Sequence, residues 1–146
     1  MKQMIFTGLL AASAAMLGST ALADDLPYQE GPVLDVSSIK IKQGHFAEYW
    51  KFLETDWKAE NEEAKKQGII LSYAVYGATA RTPNDPDLYL VIEYPNMAAF
   101  DGLDAKMTAI IKKLSGSTAA ADKAQGDRDA IRTVLGEEII RELKFK

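Results

Sequence analysis

Three short runs of the chain combine β-branched and aromatic residues with partial alternation, which is typical of β-strands. They read VLDVSSIKIK, IILSYAVYGA and LYLVIEY, at residues 33–42, 69–78 and 88–94. A fourth run, EEIIRELKFK at residues 137–146, has the same character. Because only the loop TARTPNDPD, with its two prolines, separates the second run from the third, we predict that these strands form an antiparallel hairpin.

Between the first two strands, apolar positions recur with the period of an α-helix. At about 100° per residue they share one narrow arc, while lysines and glutamates point the other way. The residues of this arc are Phe46, Trp50, Leu53, Trp57 and Ala64, with Tyr49 on its edge. Gly68 follows the pattern, as glycine commonly does just beyond a helix. We therefore predict a long amphipathic helix that ends at Gly68.

Two further helical patterns follow the third strand. The first, at residues 95–116, has Asn96 as a suitable N-cap and large apolar residues at helical spacing. The second, at residues 117–136, is rich in alanine and weaker. It directs Ile131 and then Val134 or Leu135 inward, whereas a mobile connection is the alternative that its glycine favours.

The predicted order is β-α-β-β-α-(α)-β, which is the ferredoxin-like order of an α+β fold with helices on one face of an antiparallel sheet. The other face would carry Ser72, Ala74 and Tyr76 from one strand and Tyr89, Val91 and Glu93 from the next. Because that face is half apolar, we expect it to meet another sheet.

The first 23 residues differ from the rest of the chain. Lys2 precedes the apolar run MIFTGLLAASAAML, and small residues stand at Ala21 and Ala23. This is the layout of a secretory signal peptide, with cleavage after Ala23, although a retained anchor helix would share the apolar run. We predict export to the periplasm or the medium, no membrane attachment after cleavage, a polar extension at residues 24–32 without a folded element, and one domain at residues 33–146.

Charge and residue types exclude several classes of function. The net charge is −4, so nucleic acid and anionic membranes are disfavoured partners. The chain has no cysteine and one histidine, so it lacks disulfides, a thiol nucleophile and the usual spacings of a metal site. It also lacks G-x-S-x-G, P-loop and Rossmann glycine motifs. We therefore predict no metal and no cofactor.

The segments IKIKQGHFAEYWKFL, EEAKKQGIILSYAVY, LYLVIEYPNMAAFDGL and LGEEIIRELKFK resemble the dimeric α/β-barrel superfamily. Its members include NIPSNAP-like and antibiotic-biosynthesis-monooxygenase-like proteins. The resemblance covers residues 33–146 and is specific to fold more than to function. It implies that two copies pair their sheets into a barrel with a cavity in each half. The resemblance does not assign the role of a haem ligand to His45.

The long helix offers two candidate catalytic residues. His45 stands at its first turn, where it is either an exposed or capping residue or a ligand or base. Glu60 falls near the arc of Trp57, where an apolar wall would raise the pKa of its carboxyl and make it a general acid or base. Alternatively, Glu60 reaches the rim of the helix. His45 and Glu60 are about 22 Å apart along one helix, so they cannot act together.

The sheet offers a second group of candidates. Ser72, Tyr76 and Tyr89 are predicted to bind a ligand together with Trp57, because tyrosines combine an apolar ring with a polar tip. Glu93 on the same face is a third candidate base. The alternatives are a dimer interface with satisfied polar groups for the sheet residues, and helix-on-sheet packing for Trp57.

Three functions remain open on this basis. The first is an exported dimer that binds a small apolar or aromatic molecule in the barrel cavity. The second, implied by the resemblance, is a cofactor-independent monooxygenase or isomerase-like enzyme with Glu60, Glu93 or His45 as base. The third is a structural homodimer without a ligand.

Overall fold

The computed structural model describes residues 26–146, so the predicted signal peptide lies outside the described residues. The elements, in chain order, are β1 (Tyr28–Ile41), α1 (Phe46–Phe52), a π turn (Leu53–Trp57), α2 (Lys58–Lys66), β2 (Ser72–Gly77), β3 (Leu88–Tyr94), a 3₁₀ turn (Met97–Phe100), α3 (Leu103–Ser115), α4 (Thr118–Ile131) and β4 (Arg132–Phe145). The predicted α+β class and order of elements are confirmed. Within residues 26–146, no helix has both the length and the apolar character to cross a membrane.

The four strands form one antiparallel sheet in the order β2-β3-β1-β4, with the helices packed on one face. This strand order is that of a ferredoxin-like fold. The predicted hairpin is the β2–β3 pair, in which Ser72 lies opposite Glu93 and Gly77 opposite Leu88. β1 is central and pairs with β3 on one side and β4 on the other.

The first and last strands of the chain begin earlier than the sequence pattern predicts. β1 starts at Tyr28, within the predicted unstructured extension, and β4 starts at Arg132 instead of residue 137. The reason is mutual pairing, since Tyr28 lies opposite Phe145 and Ile41 opposite Arg132. Backbone hydrogen bonding thus extends both strands through residues whose side chains show no alternation. The last helix therefore ends at Ile131. One of Val134 and Leu135 was predicted to point inward, but both are exposed strand residues.

Two apolar clusters between sheet and helices form the core. One is built around Ile39 and the other around Val33, both on β1. The first also contains Tyr49, Leu53, Leu88, Leu90 and Ile131, and the second Ala64, Ile70, Tyr94 and Ile110. Burying one large apolar side chain contributes about 1.5–3 kcal/mol, so these residues supply most of the packing energy.

The first helical segment, from α1 through the π turn to α2, buries only part of the predicted arc, since Leu53 and Ala64 are buried and Trp57 packs against the core. Phe46 and Trp50 are 57% and 38% exposed, while Tyr49 is fully buried. From Tyr49 the stripe runs through Leu53 and the half-buried Trp57 to Asn61, in steps of four residues. In a regular helix such steps drift around the axis, because a turn takes about 3.6 residues. The wider π turn offsets that drift and keeps the stripe on the sheet.

The predicted end of this segment at Gly68 is confirmed. Gly68 has a φ of 72°, its N–H donates to the carbonyl of Lys65, and the N–H of Ile69 donates to that of Ala64. These are the two bonds of a Schellman motif. The second predicted helix starts later than expected, since Asn96 precedes a 3₁₀ turn and α3 begins after Gly102.

Candidate functional site

The sheet face that points away from the helices, called here the open face, carries most of the predicted site residues. Three cross-strand rows make up its centre, and each row takes one residue from each strand in the order β2, β3, β1, β4. The rows are Ser72, Glu93, Leu34, Ile140; then Ala74, Val91, Val36, Glu138; then Tyr76, Tyr89, Ser38, Gly136. None of the helices within residues 26–146 packs on this face.

The open face has an apolar centre and polar ends. Val91 and Val36 are cross-strand partners in the middle row, and Leu34 and Ile140 are partners in an outer row. At the β2–β3 end of that outer row, the Ser72 hydroxyl donates to Glu93 Oε2 at 2.6 Å. Two tyrosines occupy the other outer row, and one of them, Tyr76, is 57% exposed. Thus Ser72, Tyr76, Tyr89 and Glu93 share one surface, as the strand alternation predicts.

Trp57 lies on the other side of the sheet from these four residues. Its ring meets that of Tyr73 edge to face, with centroids 5.2 Å apart. Both rings line a shallow apolar groove of about 200 Å³ beside β2, together with Trp50 and Val75. Trp57 therefore packs on the helical side and does not join the open face.

Glu60 also lies on the helical side, in a groove of about 350 Å³ between α2, α3 and α4. Burial raises the pKa of its carboxyl, Arg128 on α4 lowers it, and Asp56 raises it, with a net upward shift. The direction is the one predicted from the apolar arc. Arg128 was not singled out from the sequence, because only the tertiary fold brings α4 opposite α2.

His45 immediately precedes α1. Its carbonyl accepts a hydrogen bond from the N–H of Tyr49, and its Nδ1 lies 2.8 Å from Glu48 Oε2. Its contacts are thus those of a residue at a helix start. The three candidate bases do not form one site, because Glu93 lies on the open face and His45 and Glu60 on the helical side.

Asp35 is a half-buried acid on the helical side of the sheet that the sequence pattern did not single out as a candidate. Asp35 has the same strand parity as Val33 and Ile39, which face the core. Burial, and then the charge of Glu137, raises the pKa of Asp35. Burial, followed by the negative charge of Asp35, raises the pKa of Tyr94 to about 12. An acid at an inward strand position was the signal that could have identified it.

No metal site is apparent in the part of the chain that the structure describes, since no three His, Asp or Glu side chains there are arranged to hold an ion.

The fold is similar to that of a solved structure. The crystal structure of HapK from Hahella chejuensis matches with a TM-score of 0.50, and the match covers 75% of this chain and 91% of HapK. The two sequences are 14% identical, so the likeness concerns the fold alone. No family model matches the chain, and no curated protein matches its sequence. Membership of the dimeric α/β-barrel superfamily stays a prediction.

Proposed function

We propose that this protein is an exported homodimer of the dimeric α/β-barrel type, NIPSNAP-like or antibiotic-biosynthesis-monooxygenase-like, which binds a small apolar or aromatic molecule on the open face. The observation that carries the proposal is the arrangement of that face. Apolar residues occupy its centre, and hydroxyl and carboxyl groups occupy its ends. Ligand sites in proteins commonly combine an apolar surface with a few placed polar groups.

A second copy of the chain is the partner that this face fits. Leu34, Val36 and Val91 are only partly buried although they lie on the two central strands, and Ile140 on the edge strand β4 is 46% exposed. Covering such a surface is favourable by about 25 cal/mol per Å² of apolar area. Two identical faces related by a twofold axis would cover each other. The polar residues at the ends of the two open faces would then leave a cavity between the paired sheets.

The spacing of the rows indicates how a ligand would lie. The outer rows are four residues apart along each strand, which is about 13 Å at 3.3 Å per residue. A one- or two-ring aromatic molecule would rest on the middle row. Tyr76 and Tyr89 would contact one end, and the Ser72–Glu93 pair would accept or donate a hydrogen bond at the other.

Native mass spectrometry of the purified protein tests the dimer. We expect a dimer for the wild type and a monomer for Val91→Lys, because the lysine places a charge at the centre of the interface. Ala109→Lys, at an exposed position of α3, adds the same charge away from the open face and should leave the dimer intact. A monomeric wild type, or a dimeric Val91→Lys variant, would contradict the proposal.

A titration with 2-naphthol tests the ligand class. Replacing Tyr89 by alanine should weaken binding by about two- to tenfold, since an aromatic contact contributes about 0.5–1.5 kcal/mol. The dimer should persist in this variant. Equal binding by both proteins would remove the tyrosine row from the site, and a dimer that binds no aromatic probe would support the structural hypothesis instead.

A further inference from the structure

The groove between α2, α3 and α4 is a second candidate site, on the opposite side of the sheet from the open face. We propose that it binds an elongated apolar molecule that carries one protonated amine. The groove has a volume of about 350 Å³, which lies within the range of small-molecule sites. Because the groove belongs to a single chain and to the helical side, the proposal does not depend on dimerisation or on a ligand at the open face.

Small residues on α4 and large apolar residues on α3 create the groove. Ala121 and Ala124 face Ile111 and Leu114, and Ala59 lines the α2 side. Methyl groups are too short to fill the space between the helices, so Leu114 remains 47% exposed. An alkyl or aromatic body placed between these walls would remove apolar surface from water on both sides.

The charges that line the groove favour a cation. Asp56 and Glu60 lie one helical turn apart on the same wall, which is an unfavourable spacing for like charges. Within residues 26–146, neither carboxylate has a basic group closer than 4.0 Å. Arg128 is the one basic residue of the lining, so the groove holds two acids against one base. A protonated amine between the acids would relieve their repulsion.

Arg128 makes its direct contacts with groups other than these acids, while its charge lowers the pKa of Glu60 without reversing the upward shift that burial causes. Its guanidinium lies 4.7 Å from the centre of the Phe52 ring and donates a hydrogen bond to the side chain of Gln125. The adjoining depression beyond Arg128 also contains Glu48 and Asp127, but these acids are paired with His45 and Lys123. The lining of the groove itself therefore has an excess of one negative charge, which favours an amine over a carboxylate of the same shape.

Three probes with the same alkyl chain separate the apolar contribution from the charge. The purified, ¹⁵N-labelled protein is titrated with octylamine, octanol and octanoate, and amide shifts are followed. We expect octylamine to bind about fivefold more tightly than octanol, the effect of about 1 kcal/mol from a partly exposed charge pair. We expect octanoate to bind most weakly. Octanoate binding as tight as octylamine binding, or no shift in α2, α3 and α4, would overturn the proposal.

Matched variants assign the binding to the groove. Asp56→Asn with Glu60→Gln should remove the preference for octylamine over octanol while keeping octanol binding. Ala124→Leu should fill the groove and weaken the binding of both octylamine and octanol. Ala119→Leu, at an exposed position of the same helix, should leave the binding of both probes unchanged. If the double variant keeps the preference for octylamine, the charge argument is wrong whether or not Ala124→Leu folds.

Discussion

Asp35 is a charged residue at an inward-facing position of β1, where the other core positions are apolar. Its neighbours on the same strand face, Val33 and Ile39, are completely buried in the two core clusters. In the part of the chain that the structure describes, no basic group lies within 4.0 Å of the Asp35 carboxylate. Burial without a partner disfavours the charged form, which is why the pKa of Asp35 is raised.

Replacing Asp35 by asparagine should stabilise the protein at neutral pH. A raised pKa in the folded state means that stability is lost as the pH rises from the unfolded value through the folded one. The variant lacks this loss, so its advantage should be present at pH 7 and absent at about pH 3. Urea unfolding at both values measures it. An advantage of the same size at pH 3 would show that packing, not charge, is responsible.

Tyr49 stabilises the folded state where Asp35 destabilises it, because the buried hydroxyl of Tyr49 has a hydrogen-bond partner. The ring is fully buried, and its hydroxyl accepts a hydrogen bond from Arg132 Nη1 at 3.1 Å. Tyr49→Phe should lower the free energy of unfolding by about 1.5–3 kcal/mol, the usual range for a hydrogen bond to a charged group. Tyr76→Phe removes a hydroxyl from an exposed ring and should change stability little. Similar losses in both variants would contradict this account.

Two glycines occupy different positions in the helices, one at a helix end and one inside a helix. Gly68 ends α2 with a φ of 72°, whereas Gly126 lies inside α4, and a Cβ at either position would meet nothing within 4 Å. Backbone conformation alone should therefore decide the effect of a substitution at these two positions.

Substitution of the two glycines by alanine should have opposite effects. Gly68→Ala should destabilise the protein by about 1–2 kcal/mol, the strain of a left-handed residue with a side chain. Gly126→Ala should stabilise it by about 0.5–1 kcal/mol, because alanine is the better helix former. Thermal unfolding followed by circular dichroism compares the two variants with the wild type. A change in the same direction for both would indicate that contacts with the new methyl group dominate.

At the scale of the whole molecule, the sheet has one covered face and one uncovered face. The helices bury both core clusters, while the open face leaves Leu34, Val36 and Val91 only partly buried. In the proposed dimer, stability and assembly would be linked, since a second copy would bind the folded chain and not the unfolded one.

The melting temperature should therefore rise with protein concentration. Over a hundredfold range of concentration, a dimer that unfolds to monomers gains about 2.7 kcal/mol. Differential scanning fluorimetry or calorimetry at several concentrations measures the shift, and Val91→Lys should abolish it. A melting temperature that does not depend on concentration in the wild type would argue against the proposed dimer.

The sequence by itself determined the order of elements, the hairpin, the helix end at Gly68 and the shared face of Ser72, Tyr76, Tyr89 and Glu93. These follow from local rules, namely the period of two in strands, the period of 3.6 in helices and the left-handed preference of glycine. Only the tertiary structure decided the early starts of β1 and β4, the buried stripe through Tyr49 and the groove that joins Glu60 to Arg128. Each of these depends on residues far apart in the chain or on a small change of helical phase, which local patterns do not encode.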